Sequence, residues 1–235
     1  MSDIQTAENQ DSLDGIAIIG MVGKFPGANS IEQLWQNLCQ GIESTTFFED
    51  QDLDPSINPD LIQDPNYIKA RGIIAEAKSF DAAFFGINPR DAEVIDPQAR
   101  IFLELVVAAL ENAGYEPEAF DGLIGLYGGC CNNTYFANHL AGRQDIIDRI
   151  GDLQMLFASE KDYLTTRASY KLNLKGPSVS VSTSCSSSLV AVSQAFQALT
   201  SYQCDLAVAG AVAVLSPQNS GYLYQEGSIF APDGH

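Results

Sequence analysis

The order of apolar and polar positions divides the chain into a polar leader and a series of strand-like and helix-like segments. Met1 to Asp14 is polar and acidic with almost no apolar pattern, which predicts a disordered leader or the tail of a linker, with a folded part over residues 15–235. Ile16 to Ile19 is a short apolar run closed by Gly20 and predicts a strand. After a turn at Gly27 to Ser30, the residues Ile31, Leu34, Trp35 and Leu38 recur at helical spacing, behind a serine able to cap a helix. From Ile42 to Asn66 the chain is rich in Asp, Pro, Asn and Gln, and this predicts an extended surface excursion.

Phe80, Phe84 and Phe85 restart the core pattern. Asp96-Pro97 then opens a long helix with Ile101, Leu105, Ala108 and Ala109 as its apolar stripe and Gly114 as its stop. Leu123 to Tyr127 reads as a buried strand. Ser159-Glu-Lys-Asp162 has capping-box spacing and predicts a helix through Lys171, after which Gly176-Pro177 turns into an alternating strand, Ser178 to Thr183. A helix from Ser186 to about Ser201 carries Leu189, Val192, Phe196 and Leu199 on one face. Leu206 to Leu215 is nearly continuous in apolar residues and suits a sheet buried on both sides. The last three segments make a βαβ unit within an α/β fold.

Composition narrows the function. The chain has 235 residues, 46% of them hydrophobic, enough to bury a substantial core. With 30 acidic against 12 basic residues its net charge is −18, which opposes the attraction that nucleic acid or an anionic membrane would need. No run approaches the roughly 20 apolar residues of a membrane span. The first cation is Lys24, so no secretory signal is visible, and a cytoplasmic location is expected. Five scattered cysteines, an odd number, point to free thiols in a reducing compartment.

One of those thiols stands out. Cys185 lies in Ser182-Thr-Ser-Cys-Ser-Ser-Ser188, where the predicted strand ends and the amphipathic helix begins. Unpaired N–H groups at a helix N-terminus offer partial positive charge to a sulfur nucleophile or to an oxyanion, and the small neighbours leave room for an acyl group. Two readings stand on this pattern alone: a nucleophile on a strand-to-helix turn, or a buried cysteine flanked by capping serines.

Thr183 to Leu189 resembles the active-site signature of the β-ketoacyl synthase, or ketosynthase, family in the form found in modular polyketide synthases. Further blocks agree in order and spacing: Ile16–Met21 with Phe25–Ala28, Phe84–Arg90, Asp96–Arg100 with Leu103-Glu104, Glu111–Tyr115, Glu160–Tyr163 and Tyr170–Ser178. The resemblance covers Gly15 to His235. It implies a thiolase-like αβαβα fold and a homodimer with the strand Ser178–Thr183 near the two-fold axis. It further implies that Cys185 accepts an acyl chain from the phosphopantetheine thioester of an acyl carrier protein, for decarboxylative condensation with a malonyl-type extender. No cofactor or metal bound by the chain itself is implied.

The departures are informative as well. Two family histidines, a lysine and a Gly-Phe-Gly-Gly loop belong to blocks that this sequence does not contain, and Ala231–His235 resembles a mid-domain loop. The chain is thus expected to represent the N-terminal half of the condensing domain, to acylate without condensing, and to need the second half from a partner. The alternative is a non-catalytic dimerisation or carrier-binding scaffold. Ser182, Ser184, Val22 and Lys24 replace residues common in the family and are expected to tune packing.

The remaining candidates read mainly as structure. Cys130-Cys131 lacks the spacing of a zinc knuckle, and by resemblance lies on the substrate side of the core, while His139 reads as a helix residue rather than a base. The glycines of Gly20–Gly27 fit turns better than a nucleotide loop, and Asp50, Asp52, Asp54, Asp60 and Asp64 fit a solvated face. Arg167, Lys171 and Lys175 fall at i, i+4 and i+8, a cationic stripe that is expected either to dock an acidic carrier protein or to complement a helix C-terminus.

Overall fold

Residues 15–235 are described by the computed structural model, so the leader expected over Met1–Asp14 lies outside the described residues. The chain first forms α1 (Ile31–Cys39), β1 (Thr45–Phe47), α2 (Pro59–Ile62), β2 (Tyr67–Ile68) and β3 (Ala70–Gly72). It continues through α3 (Pro89–Val94), α4 (Pro97–Asn112), β4 (Ile124–Cys130), α5 (Gln144–Ile150), α6 (Asp152–Ser159) and α7 (Tyr163–Lys171). Then come β5 (Ser178–Ser180), α8 (Ser187–Thr200), β6 (Leu206–Val212) and β7 (Tyr222–Leu223).

Strands β5, β4 and β6 form a parallel sheet in that order, and Leu126 of the central strand pairs with Ser178 on one side and Val208 on the other. Helices α4 and α7 pack on one face of this sheet and α8 on the other. Alternation along β4 therefore feeds two cores. Ile124 and Leu126 join Ile101, Phe102 and Leu110 of α4, whereas Tyr127 joins Val181, Ala191, Ala195 and Ala198 on the α8 side. No helix among the described residues is long and apolar enough to cross a membrane.

The local start signals work where their partners are local. Ser30 accepts the Gln33 N–H at 3.2 Å and caps α1. Asp96 accepts the Gln98 N–H at 2.9 Å, and Pro97, which has no N–H to satisfy, opens α4. Other expectations change. Ile16–Ile19 forms no strand, and Ile18 is 85% exposed. A strand needs a neighbour to complete its hydrogen bonds, and this segment instead runs beside α4, held by the Met21 N–H on Asn112 Oδ1 (2.9 Å) and by Lys24 on Glu104 (3.0 Å). The region after Ile42 is more than an excursion: Phe48, Leu53 and Tyr67 bury a small core of their own, and β2 pairs with β7 near the chain's other end. Ser159 ends α6 rather than capping a helix, and α7 begins at Tyr163 without a side-chain cap. In α4, Ile101 is buried as expected, but Phe102, Leu103, Val106 and Leu110 carry the burial in place of Leu105, Ala108 and Ala109.

The α8 face is reversed except at Leu199, which packs against the core on the α8 side of the sheet as expected. Ser187, Ala191, Ala195 and Ala198 face the sheet, while Leu189, Val192 and Phe196 are 75%, 51% and 46% exposed. The sheet face beneath α8 presents glycines and alanines together with Tyr127, so the helix comes close only through its small residues.

A single buried amide joins the ends of the sheet to α4. Gln98 is 1% exposed. Its Oε1 accepts the N–H of Cys131 (3.2 Å), the thiol of Cys131 (2.9 Å) and the N–H of Val214 (3.3 Å), and its Nε2 donates to Asp96 Oδ2 (3.0 Å). Backbone groups just beyond β4 and β6 thus find a partner without water. Gln98→Met keeps the length and removes the amide; the Cys131 N–H keeps its second acceptor, Val212 O (3.3 Å), but the Val214 N–H is left unpaired, at a cost of about 1–3 kcal/mol. The expected fall in Tm is about 2–12 °C, measured by circular dichroism; a fall below about 1 °C would show the amide to be dispensable.

Candidate active site

Cys185 stands on a sharp turn between β5 and α8. The ladder ends where the buried Val181 donates its N–H to Gly128 O (2.7 Å), and residues 182–186 are exposed, with a single 3-10 turn at Ser184–Ser186 leading into the helix. Ser184 has φ of 53°, a left-handed conformation that costs a residue with a Cβ on the order of 1–3 kcal/mol. Two neighbouring hydroxyls hold it there. Ser187 Oγ accepts the Thr183 N–H (3.0 Å) and donates to Ser184 O (2.8 Å), while Ser186 Oγ donates to Thr183 O (2.7 Å). The serines therefore lace the turn rather than cap the helix, and Cys185 is exposed rather than buried.

The turn sits where it does because β4 has glycine at the point of contact. A Cβ on Gly129 would lie 2.7 Å from Val181 O and 3.0 Å from Ser187 Cβ, so any larger residue would push the turn away from the strand. The Cys185 N–H donates to no acceptor among the described residues, and α8 directs its N-terminal end toward the same turn. A free N–H and a helix dipole beside an exposed thiol suit attack on a carbonyl and stabilisation of the resulting oxyanion.

The other thiols differ in kind. Cys130 is half-buried at the end of β4, where burial first, then Asp96 and Cys131, push its thiol up to about 12. Burial also raises Cys131, whose hydrogen is donated to Gln98, and burial raises Cys204. These are protonated packing residues. Burial likewise raises the Asp96 carboxyl, against the hydrogen bonds from Gln98 that hold it down.

Neither histidine reaches the turn. His139 packs its ring against Tyr135 (5.3 Å), and His235 sits on Glu43 (2.9 Å) and Phe47 (4.9 Å). The cationic stripe is broken by the fold. Arg167 is half-buried, donates to Phe157 O and is lowered by burial, Lys171 donates to Gly86 O (3.1 Å), and Lys175 lies beyond the end of α7. Arg167 is thus a packing residue and not a docking one. The acidic run folds into turns: Asp54 accepts from Ser56, Asp64 from Asn66 and Asp52 from Glu49, while Asp50 pairs with Lys69. Gly27, with φ of 69°, makes the hairpin turn between Phe25 and Ala28.

Gln98, Gly129 and Ser187 escaped the sequence reading. Each left a signal: a glutamine among the apolar positions of a helix, a Gly-Gly pair inside a strand pattern, and a serine on the alanine face of α8.

Known proteins resemble this chain in sequence and fold. A family model described as "Beta-ketoacyl synthase, N-terminal domain" matches residues 13–235. A phenolphthiocerol/phthiocerol polyketide synthase of Mycobacterium tuberculosis is 38% identical over 94% of the chain, and polyketide synthase PksN of Bacillus subtilis is 34% identical over 94%. The chain spans only 15% and 4% of those two proteins. Among solved structures, ketosynthase twelve of the bacillaene polyketide synthase from Bacillus amyloliquefaciens superposes with a TM-score of 0.81 at 34% identity. The match covers 93% of this chain and 38% of that one. The fold is that of the N-terminal part of a thiolase-like ketosynthase. With the family model, the polyketide synthase relatives and the superposed ketosynthases in agreement, the chain belongs to the β-ketoacyl synthase family as a ketosynthase N-terminal domain.

Proposed function

We propose that Cys185 accepts an acyl chain delivered as the phosphopantetheine thioester of an acyl carrier protein. The observation that carries this reading is the exposed Cys185 thiol on a serine-laced turn at the head of α8. The sulfur attacks the thioester carbonyl carbon, and the oxyanion draws on the free Cys185 N–H and the end of α8. The bond to phosphopantetheine then breaks, and that group leaves as a thiol carrying the proton Cys185 gave up. Cys185 now holds the chain as a thioester.

In the following step a malonyl-type extender loses carbon dioxide, and its carbanion attacks the acyl-Cys185 carbonyl, releasing the thiol. His139 and His235 are engaged elsewhere, so this step draws on groups from a second half of the condensing domain, supplied on the same polypeptide or on another. Two further observations support the setting. β5 lies at the edge of its sheet, which suits a homodimer across that strand, and the five cysteines are free, as a reducing cytoplasm would keep them.

Intact-protein mass spectrometry after incubation with an acyl N-acetylcysteamine thioester tests the reading. One adduct is expected, absent from Cys185→Ala; an adduct that survives in the variant overturns the assignment, and a folded chain with no adduct favours a non-catalytic scaffold. The pH dependence of thiol modification follows from Cys130. A thiol raised to about 12 stays protonated from neutral pH to well above pH 9, so iodoacetamide at pH 8 should label Cys185 and leave Cys130 untouched until the chain unfolds. Peptide mapping reads the order. Gly129→Ala should displace the turn and slow acylation on the order of 10- to 100-fold, with the far-ultraviolet spectrum unchanged. An unchanged rate would mean that the turn does not depend on this contact.

A further inference from the structure

A broad cleft lies away from Cys185. It has a volume of about 800 Å³ and sits at the C-terminal ends of α4 and α7, beside the loop that carries Phe84. The N-terminal end of α4 meets the strand ends through Gln98, and the cleft begins nine residues further along the helix, at Val107, about 14 Å from that edge of the sheet. This distance makes it a surface feature rather than part of the acyl site.

Its chemistry is one-sided. The apolar lining includes Leu110, Phe84, which is 65% exposed, and Tyr115, which is 36% exposed. Phe84 rests edge-on against Phe85 (4.9 Å) and Tyr115 edge-on against Phe120 (5.3 Å), so both rings are fixed by packing while remaining open to solvent. Around them stand Glu111, Glu116 and Glu118, none with an ion pair among the described residues. The cation in the lining, Lys171, is turned to the carbonyl of Gly86 (3.1 Å). Carboxylates and aromatic faces favour the same ligand group, a guanidinium, which bonds the first in pairs and stacks on the second.

We propose that this cleft docks an extended segment of a partner protein in which arginines flank apolar side chains. Charge complementarity selects this occupant. The leader Met1–Asp14 carries Asp3, Glu8, Asp11 and Asp14 and no Lys or Arg, and a second copy of a chain of net charge −18 brings the same sign. An acidic carrier protein is unsuited for the same reason.

The test measures fluorescence anisotropy with the full chain and a labelled ten-residue peptide alternating arginine with leucine and tyrosine, at about 0.15 M salt, where long-range attraction is screened. The triple variant Phe84→Ser, Glu116→Gln, Glu118→Gln and the double variant without Phe84→Ser should both weaken binding, the triple by at least about tenfold. A control of greater charge change elsewhere, Asp60→Asn, Asp64→Asn and Glu226→Gln, should leave affinity unchanged, and so should Cys185→Ala. An equal loss in the control, no loss in the triple variant, or equally tight binding of an arginine–serine peptide overturns the proposal. So does self-association of the chain that the peptide does not compete away. Acylation of Cys185 is expected to be the same in all cleft variants, which keeps failure here distinct from failure of the proposed acyl transfer.

Discussion

Parallel strands that stop inside a protein leave backbone groups with no neighbour, and here the amide of Gln98 meets that need. Its carbonyl oxygen takes the N–H groups that follow β4 and β6, and its amino group is held by the capping carboxylate of its own helix. One side chain therefore sets where α4 begins, where the central strand ends and how far β6 extends beside it. The carboxyl of Asp96 is desolvated in the process. That cost is tolerated because the carboxylate accepts from both the backbone and the side chain of Gln98, a closed arrangement with no polar atom left over.

From that edge the site is built by side-chain size. Gly128 meets Phe102 of α4 and Gly129 meets Val181 and Ser187, on opposite faces of the same strand. Bulk is thus accepted from α4 and refused from the turn. The refusal lets β5, the turn and the head of α8 lie directly against β4, and it leaves the hydroxyl of Ser187 at the distance needed to hold Ser184 in its left-handed conformation. The alanines of α8 continue the same close approach along the helix. An exposed thiol on an otherwise strained turn is in this way anchored by glycines and alanines that carry no chemistry of their own.

Features decided by near neighbours were legible in the sequence. Ser30 and Asp96 cap helices because their partners are two or three residues away, and Cys185 was placed on a strand-to-helix turn for the same reason. Features decided across the fold were not. The face that α8 buries depends on how shallow the sheet is beneath it, and helical spacing alone favoured the larger residues. Arg167 looked like one of three equivalent cations, yet the carbonyl of Phe157 draws it inward while Lys175 falls past the helix end. Ile16–Ile19 had the composition of a strand, and only the position of its neighbours shows that no ladder forms there. Family resemblance singled out Cys185 as the proposed nucleophile without revealing Gln98 or Gly129, because their roles lie in contacts rather than in reactivity.

The exposed side of α8 has a consequence for Cys185. Leu189, Val192 and Phe196 follow Cys185 at intervals of four, three and four residues, the spacing of a single helical row, and all four are exposed. A surface laid along the three apolar side chains is thereby guided to the sulfur at the head of the row. Burying each of these side chains would stabilise such a contact by about 1.5–3 kcal/mol before the costs of association, and the same contact would exclude water from the turn. Covering the apolar row and enclosing the thioester are then one event. An oxyanion formed at Cys185 in the proposed acyl transfer would gain most from the free N–H and the helix dipole with water absent, so a surface laid on this exposed row would favour that step.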